Sequence, residues 1–237
     1  MKKILTLTIG CMLAGSAFAQ TSGIKFGAKA GVNVASMAFT GSDYGSDFES
    51  DNKIGSTISF HFTGLVDLPV SSSFSVQPGL SLTGKGMKNT NSESGTEQGI
   101  EYSSKSSQTT NVMYLEIPVN AVYKISGIYF GAGPYAAFAI AGKSKFETTV
   151  TIAGATTTVK DEADLKFGNK QSDPNSTTGD DYKSNDFGLN FLAGYQLSNG
   201  VNIGANYGLG LTNLIPEGTS KNKQSNRVIS FSVGFMF

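Results

Sequence analysis

The 237-residue chain carries 18 basic and 18 acidic residues, one cysteine and no tryptophan, and only 15% of its residues are charged. Beyond the first twenty residues no run approaches the 18 consecutive apolar residues of a transmembrane helix. The charge balance leaves no footprint for nucleic acid.

Residues 1–19 read as a secretory signal peptide. Lys2 and Lys3 form a positive start, Ile4 to Ala14 a short apolar stretch, and Ala17-Phe18-Ala19 a small-x-small cleavage site before Gln20. A lipoprotein reading on Cys11 is the weaker one, because Thr8 stands where the lipid-attachment box usually has Leu. Cleavage removes Cys11, so thiol chemistry is excluded from the remainder. Residues 20–237 are then one domain of 16 basic and 18 acidic residues. Abundant Gly, Ser, Thr and aromatics suit strands and turns.

Eight segments alternate with period two. The first runs from Ile24 to Val34, with Lys25, Gly27, Lys29, Gly31 and Asn33 on its polar side. The second spans Ile58 to Leu68 and sets Phe60 and Phe62 against His61 and Asp67. The third spans Phe74 to Lys85, the fourth Val112 to Ile125, with Leu115, Ile117 and Val119 opposing Tyr114, Glu116 and Lys124. Ile128 to Ile140 is the fifth, Phe187 to Leu197 the sixth and Val201 to Leu211 the seventh. The eighth, Arg227 to Phe237, sets Ile229, Phe231, Val233 and Phe235 against Ser230, Ser232 and Gly234.

Alternation alone also fits a soluble sandwich. The connections decide against it, because they run long, short, long, short in strict order. The short ones are Pro69 to Ser73, Ser126-Gly127 and Ser198-Asn199-Gly200; the long ones cover about 35–57, 86–111, 141–186 and 212–226. Short periplasmic turns and long extracellular loops define outer-membrane barrels. The expected fold is therefore all-β, an eight-stranded antiparallel up-and-down transmembrane β-barrel, with ten strands as the alternative count.

Charge placement agrees. Lys25, Lys29, Asp67, Lys85, Glu116 and Lys124 all fall on the less hydrophobic face. A charge facing lipid at mid-depth costs about 2–4 kcal/mol. Arg227 falls on the lipid side by parity, at the outer end of the last strand, where it is expected to snorkel. Phe26, Phe74, Tyr123, Phe130, Tyr195, Phe235 and Phe237 gather at the periplasmic rim as an aromatic belt. Pro78, Pro118 and Pro134 lie inside strands and each removes a ladder hydrogen bond, so bulges or lumen waters are expected there.

The motif Tyr-Leu-Glu-Ile-Pro at 114–118, the Gly-Pro-Tyr at 133–135, and the closing Phe-Ser-Val-Gly-Phe-Met-Phe resemble the PorT-type outer-membrane β-barrel family of the Bacteroidota. The resemblance covers the whole chain after the leader. It implies an outer-membrane barrel of eight to ten strands without catalytic residues. The founding member assists a protein-secretion system. The terminal Phe237 resembles the signal read by the barrel-assembly machinery of Gram-negative cells.

No motif carries chemistry. There is no HExxH, CxxC or GxxxxGK[ST]. His61 and Asp67 are too far apart along one strand for a triad, and one His without Cys makes zinc improbable. No cofactor or metal is expected. Gly204, Gly208 and Gly210 lack a following helix and read as lumen packing that leaves room for Tyr114, Tyr129 and Tyr135. Asp43, Asp47, Glu49 and Asp51, and Asp173, Asp180 and Asp181, read as solvated loop acids.

An eight-stranded barrel is only wide enough to be filled by side chains. Lys25, Lys29, His61, Asp67, Lys85, Glu116 and Lys124 are therefore expected to form a salt-bridged lumen network, structural in role. A narrow wet pore is the alternative. Phe146 to Ile152 and Thr156 to Phe167 flank Ala153-Gly154-Ala155 as a hairpin extending strands five and six beyond the membrane. The expected protein is a monomer in contact with outer-membrane lipid and lipopolysaccharide, binding an extracellular protein or surface ligand through its loops. A solute pore and a secretion accessory are the competing roles.

Overall fold

The computed structural model describes residues 23–40, 52–168, 181–218 and 222–237. The expected leader at 1–19, and Asp43, Asp47, Glu49, Asp51, Asp173 and Asp180, lie outside the described residues. The elements are β1 (Lys25–Thr40), β2 (Asn52–Gly55), β3 (Thr57–Pro69), β4 (Phe74–Glu97), β5 (Ile100–Ile125), β6 (Ile128–Ile152), β7 (Ala155–Asp164), β8 (Asn185–Gln196), β9 (Val201–Gly210) and β10 (Lys223–Met236).

Eight of these strands close a ring in the order β1-β3-β4-β5-β6-β8-β9-β10, every neighbour antiparallel, with β10 returning to β1. Closure leaves no edge in the ring, and the backbone groups pair within the wall except around the three prolines. The sequence dictates which face is inward. Ile58 is 77% exposed, Val233 61% and Phe62 57%, while Asn33, Asp186 and Ser75 are buried. Apolar residues outside and polar residues inside are the reverse of a water-soluble core, and match a barrel whose solvent is lipid.

One end is pinned by tight turns. Ser126-Gly127 joins β5 to β6 with both residues at positive φ, 49° and 84°. That is the type I′ geometry whose twist suits antiparallel strands. Nearby lie the aromatics of the belt; Tyr123 and Phe130 have ring centroids 5.4 Å apart, and Phe235 and Phe237 5.1 Å apart.

At the other end the strands do not stop. The stretch 86–111, expected as a loop, is a continuous hairpin. β4 and β5 stay paired up to Glu97↔Ile100, turning through Gln98-Gly99. β5 and β6 stay paired up to Tyr102↔Ile152, and β7 adds a further strand from Ala155. The short β2 covers the far edge of β4 opposite Lys88–Asn91. Above about Gly84 no lipid faces the wall, so hydrophobic alternation is not imposed and both faces accept Ser, Thr and charge. At about 3.4 Å per residue, the ten paired residues from Lys88 to Glu97 carry the sheet roughly 30 Å further along the strand. The expected hairpin around Ala153-Gly154 is present. It extends β6 alone, because β7 ends at Asp164 and does not run into β8.

The bulges expected at the prolines are not there. Ladder pairs are missing between β4 and β5 at Gly79–Leu80, and between β5 and β6 at Val119–Asn120, without a change of register. The register shift in the β5–β6 ladder sits at Met113/Tyr114 instead. Three prolines in adjacent strands thus open one local gap, and the wall accommodates them by losing hydrogen bonds rather than by bulging.

Candidate functional site

The lumen is filled in layers. Lowest, toward the tight turns, Lys124 Nζ pairs with Asp67 Oδ2, and Gln77 Nε2 donates to Asp67 Oδ1 at 2.9 Å. Lys25 is exposed at this rim, opposite Asp67 in the β1–β3 ladder. Lys29 points inward above it, with its ammonium 5.9 Å from the Tyr129 ring centroid. Next comes a polar cavity of about 90 Å³ bordered by Lys29, His61, Glu116, Tyr129 and Asn190. Its size and polarity suit several waters. His61 Nδ1 lies 2.7 Å from Asn33 Oδ1, and Asn33 Nδ2 donates to Thr83 Oγ1 at 2.9 Å and to the Gly84 carbonyl at 2.8 Å. His61 and Asp67 therefore have separate partners.

Above the cavity sits the most buried charge cluster. Lys85 Nζ lies 2.8 Å from Glu116 Oε2 and 3.1 Å from Asp186 Oδ2. Tyr135 Oη and Asn226 Nδ2 donate to the same Asp186 oxygen at 3.1 and 2.9 Å. The ammonium also stands over Tyr135, 4.1 Å from its centroid, and 5.2 Å from that of Tyr114. Asp186 escaped the sequence reading, which began its strand at Phe187. Parity would have found it, since Asp186 shares the inward face of Gly188 and Asn190. Inward glycines make room for the rings: a Cβ at Gly194 or Gly204 would lie 2.4 or 2.3 Å from Tyr129 Oη, and one at Gly188 2.6 Å from the Tyr135 ring.

The outer mouth is shut by an apolar cap. Met37, Met87 and Leu214 are buried together, flanked by Phe39 and Tyr182. Leu214 is held by its N–H to the Gln224 carbonyl and its carbonyl to the Lys183 N–H, both 2.8 Å. Leu165 and Phe167 pack against Val112, Tyr114 and Tyr135 beside it. Arg227 does not reach outward as expected. Its Nη1 folds back to the carbonyls of Gly210 and Asn226 at 2.8 and 2.7 Å.

Beyond the cap stands the sheet of β4–β7. On the face continuous with the outer wall, Lys143 pairs with Glu162, Lys145 with Glu162 at 3.4 Å, and Lys160 with Glu147 at 3.1 Å. Hydrogen bonds from Lys143 and then Lys145 hold the Glu162 carboxyl below the usual carboxylate range, and Glu162 raises Lys143 in return. The opposite face carries Phe146, Ile152 and Val159, each at least 40% exposed. All ten residues of β7 are exposed.

A closed, inside-out eight-stranded ring with short turns at one end and long strand extensions at the other defines a small integral outer-membrane β-barrel. The chain belongs to the outer membrane protein beta-barrel domain family, whose model matches residues 18–216. No curated protein matches the chain. Among solved structures it is similar to Ail, the attachment invasion locus protein of Yersinia pestis, solved with the heparin analogue sucrose octasulfate; identity is 10%, coverage 90% of this chain and 99% of that one, and the TM-score 0.35. Neisserial surface protein A is 13% identical over 91% of this chain and 98% of that one, with a TM-score of 0.32. The outer-membrane protease OmpT from Escherichia coli is 8% identical over 92% and 99%, with a TM-score of 0.33.

Proposed function

We propose that the protein is a non-conducting, non-catalytic surface barrel that binds a partner outside the cell through the sheet of β4–β7. The observation that carries this reading is the continuation of three barrel strands, without interruption of pairing, far past the end of the apolar band. Sequence spent on an ordered, hydrogen-bonded sheet with both faces exposed is consistent with recognition, because binding residues concentrate on segments held out by a rigid scaffold. A solute pore fits less well: the Lys85 cluster and the Met37–Met87–Leu214 cap lie in series across the lumen.

The same reading takes residues 1–19 as an export leader, Phe237 as the assembly signal, and Lys25, Lys29, His61, Asp67, Lys85, Glu116 and Lys124 as structural lumen groups. Kinship with the PorT-type branch rests on the motifs at 114–118 and 133–135.

The test shortens both hairpins. Joining Thr90 to Ser107 and Lys145 to Glu162 through Asn-Gly turns removes the sheet at paired positions. The shortened barrel is expected to keep heat-modifiable migration on detergent gels while expressing cells lose adhesion to immobilised matrix proteins and glycans. Unchanged adhesion by cells displaying the shortened barrel would refute the proposal.

A further inference from the structure

On the outer wall, where the apolar band meets the projecting sheet, lies a groove of about 570 Å³. Its floor is made by Gly84, Met113 and Ala141, successive partners across β4, β5 and β6, and the two small residues leave the space on either side of Met113. Phe60 and Ile140, each 56% exposed, form its apolar sides. Lys143 and Lys145 stand on its upper rim. Lys88 shares the ladder row of Lys145 through Thr109, so a third ammonium faces the same way.

We infer that this groove seats one acyl chain of an outer-leaflet lipid whose phosphate is held by Lys143 and Lys145. Three features favour that occupant. The groove is continuous with the surface that faces the bilayer, so a hydrocarbon chain reaches it without leaving lipid. Its volume falls in the range of sites that bury one small ligand. The rim is net basic, with Lys88, Lys143 and Lys145 against Glu162 and Asp164. Glu162 uses only part of the donor capacity of Lys143 and Lys145, since each ammonium has three N–H groups. Amphipathic lysine stems at a membrane boundary place their heads at phosphate height. The site is on the barrel wall and does not depend on what the sheet binds.

The experiment is native mass spectrometry of the detergent-solubilised full chain titrated with diphosphorylated lipid A, with dephosphorylated lipid A and inorganic phosphate as parallel probes. The wild type is expected to retain one lipid A molecule. Lys143→Gln with Lys145→Gln is expected to weaken retention about tenfold, from roughly fivefold for each lysine partly offset by the nearby acids. Both lysines are exposed, so the barrel itself tolerates the change. Ala141→Leu fills the floor and is expected to abolish retention; Ile140→Ser serves the same end if Ala141→Leu fails to show heat-modifiable migration. Glu162→Gln removes the carboxylate that the two lysines share, leaving Asp164 3.8 Å from Lys143, and is expected to keep or strengthen binding.

Equal retention by the double lysine variant and the floor variants would overturn the inference. So would equal binding of dephosphorylated lipid A, or inorganic phosphate binding as tightly as the lipid. A loss in Glu162→Gln matching that of the lysine variant would also overturn it, by showing that the lysines act only through the hairpin.

Discussion

Replacing Lys85 by Met removes the only cation that touches either Glu116 or Asp186 among the described residues. The Lys85 and Glu116 side chains are 4% and 10% exposed and that of Asp186 is 0%, so two carboxylates lose their counter-charge, and only Glu116 borders the polar cavity. Breaking a buried pair from one side costs about 3–5 kcal/mol. Loss of the stacking on Tyr135 adds to this, while the hydrogen bonds that Tyr135 and Asn226 give Asp186 moderate it. The expected destabilisation is therefore about 3–4 kcal/mol. The triple variant Lys85→Met, Glu116→Gln, Asp186→Asn keeps the volumes and removes all three charges, and is expected within about 1–2 kcal/mol of wild type. Urea unfolding in lipid vesicles measures both; with no tryptophan in the chain, circular dichroism and gel migration are the readouts. A cost below about 1 kcal/mol for Lys85→Met, or a triple variant as unstable as the single one, would refute the reasoning.

Gly204→Ala places a Cβ against the Tyr129 hydroxyl and should cost about 1–3 kcal/mol by overpacking, a loss that Tyr129→Phe in the same chain relieves because the clash is with the oxygen. Leu214→Ala in the cap should cost about 2–4 kcal/mol in the same unfolding assay. Planar-bilayer recordings of the wild type should show no steps, and Lys85→Ala alone should show none either, because the cap remains. The hairpin of β6 and β7 should loosen in acid. Glu162 is depressed in the folded hairpin, so its contribution is present above the ordinary glutamate range and is lost as pH falls through the depressed value. Lower protection factors for the amides from Lys143 to Asp164 near pH 3 than near pH 7, each referred to the intrinsic exchange rate at that pH, check this.

The membrane-spanning part of the fold was legible because lipid imposes a rule on every second residue. Leu115, Ile117 and Val119 face outward and Tyr114 and Glu116 inward, as parity requires. The short connections located the strand ends at the tight turns in the same way. Legibility stopped where lipid stops. From Lys88 to Thr109 both faces meet water, so Ser, Thr and Lys are equally acceptable on either, and paired strands look like a loop. The cap was hidden for another reason. Met37, Met87 and Leu214 come from three distant parts of the chain, and the adjacent Leu214 and Ile215 in the segment 212–222 form no period that would reveal which of them is buried. Asp186 lay one residue beyond a strand boundary drawn too tightly, and with it went half of the counter-charge of Lys85.

Orientation of the sheet is the central claim, and single-cysteine labelling of intact cells tests it most directly. Cys11 is the one cysteine of the chain and lies in the proposed leader, so a Cys11→Ser background makes an introduced cysteine unique whether or not the leader is cleaved. Ser94→Cys lies in the exposed part of β4 beyond the cap, and Ser198→Cys in the tight turn between β8 and β9. A membrane-impermeant maleimide is expected to label the first in intact cells and the second only after the outer membrane is broken. Labelling of Ser198→Cys but not Ser94→Cys in intact cells, or of both only after lysis, would contradict a barrel that holds its sheet outside the cell.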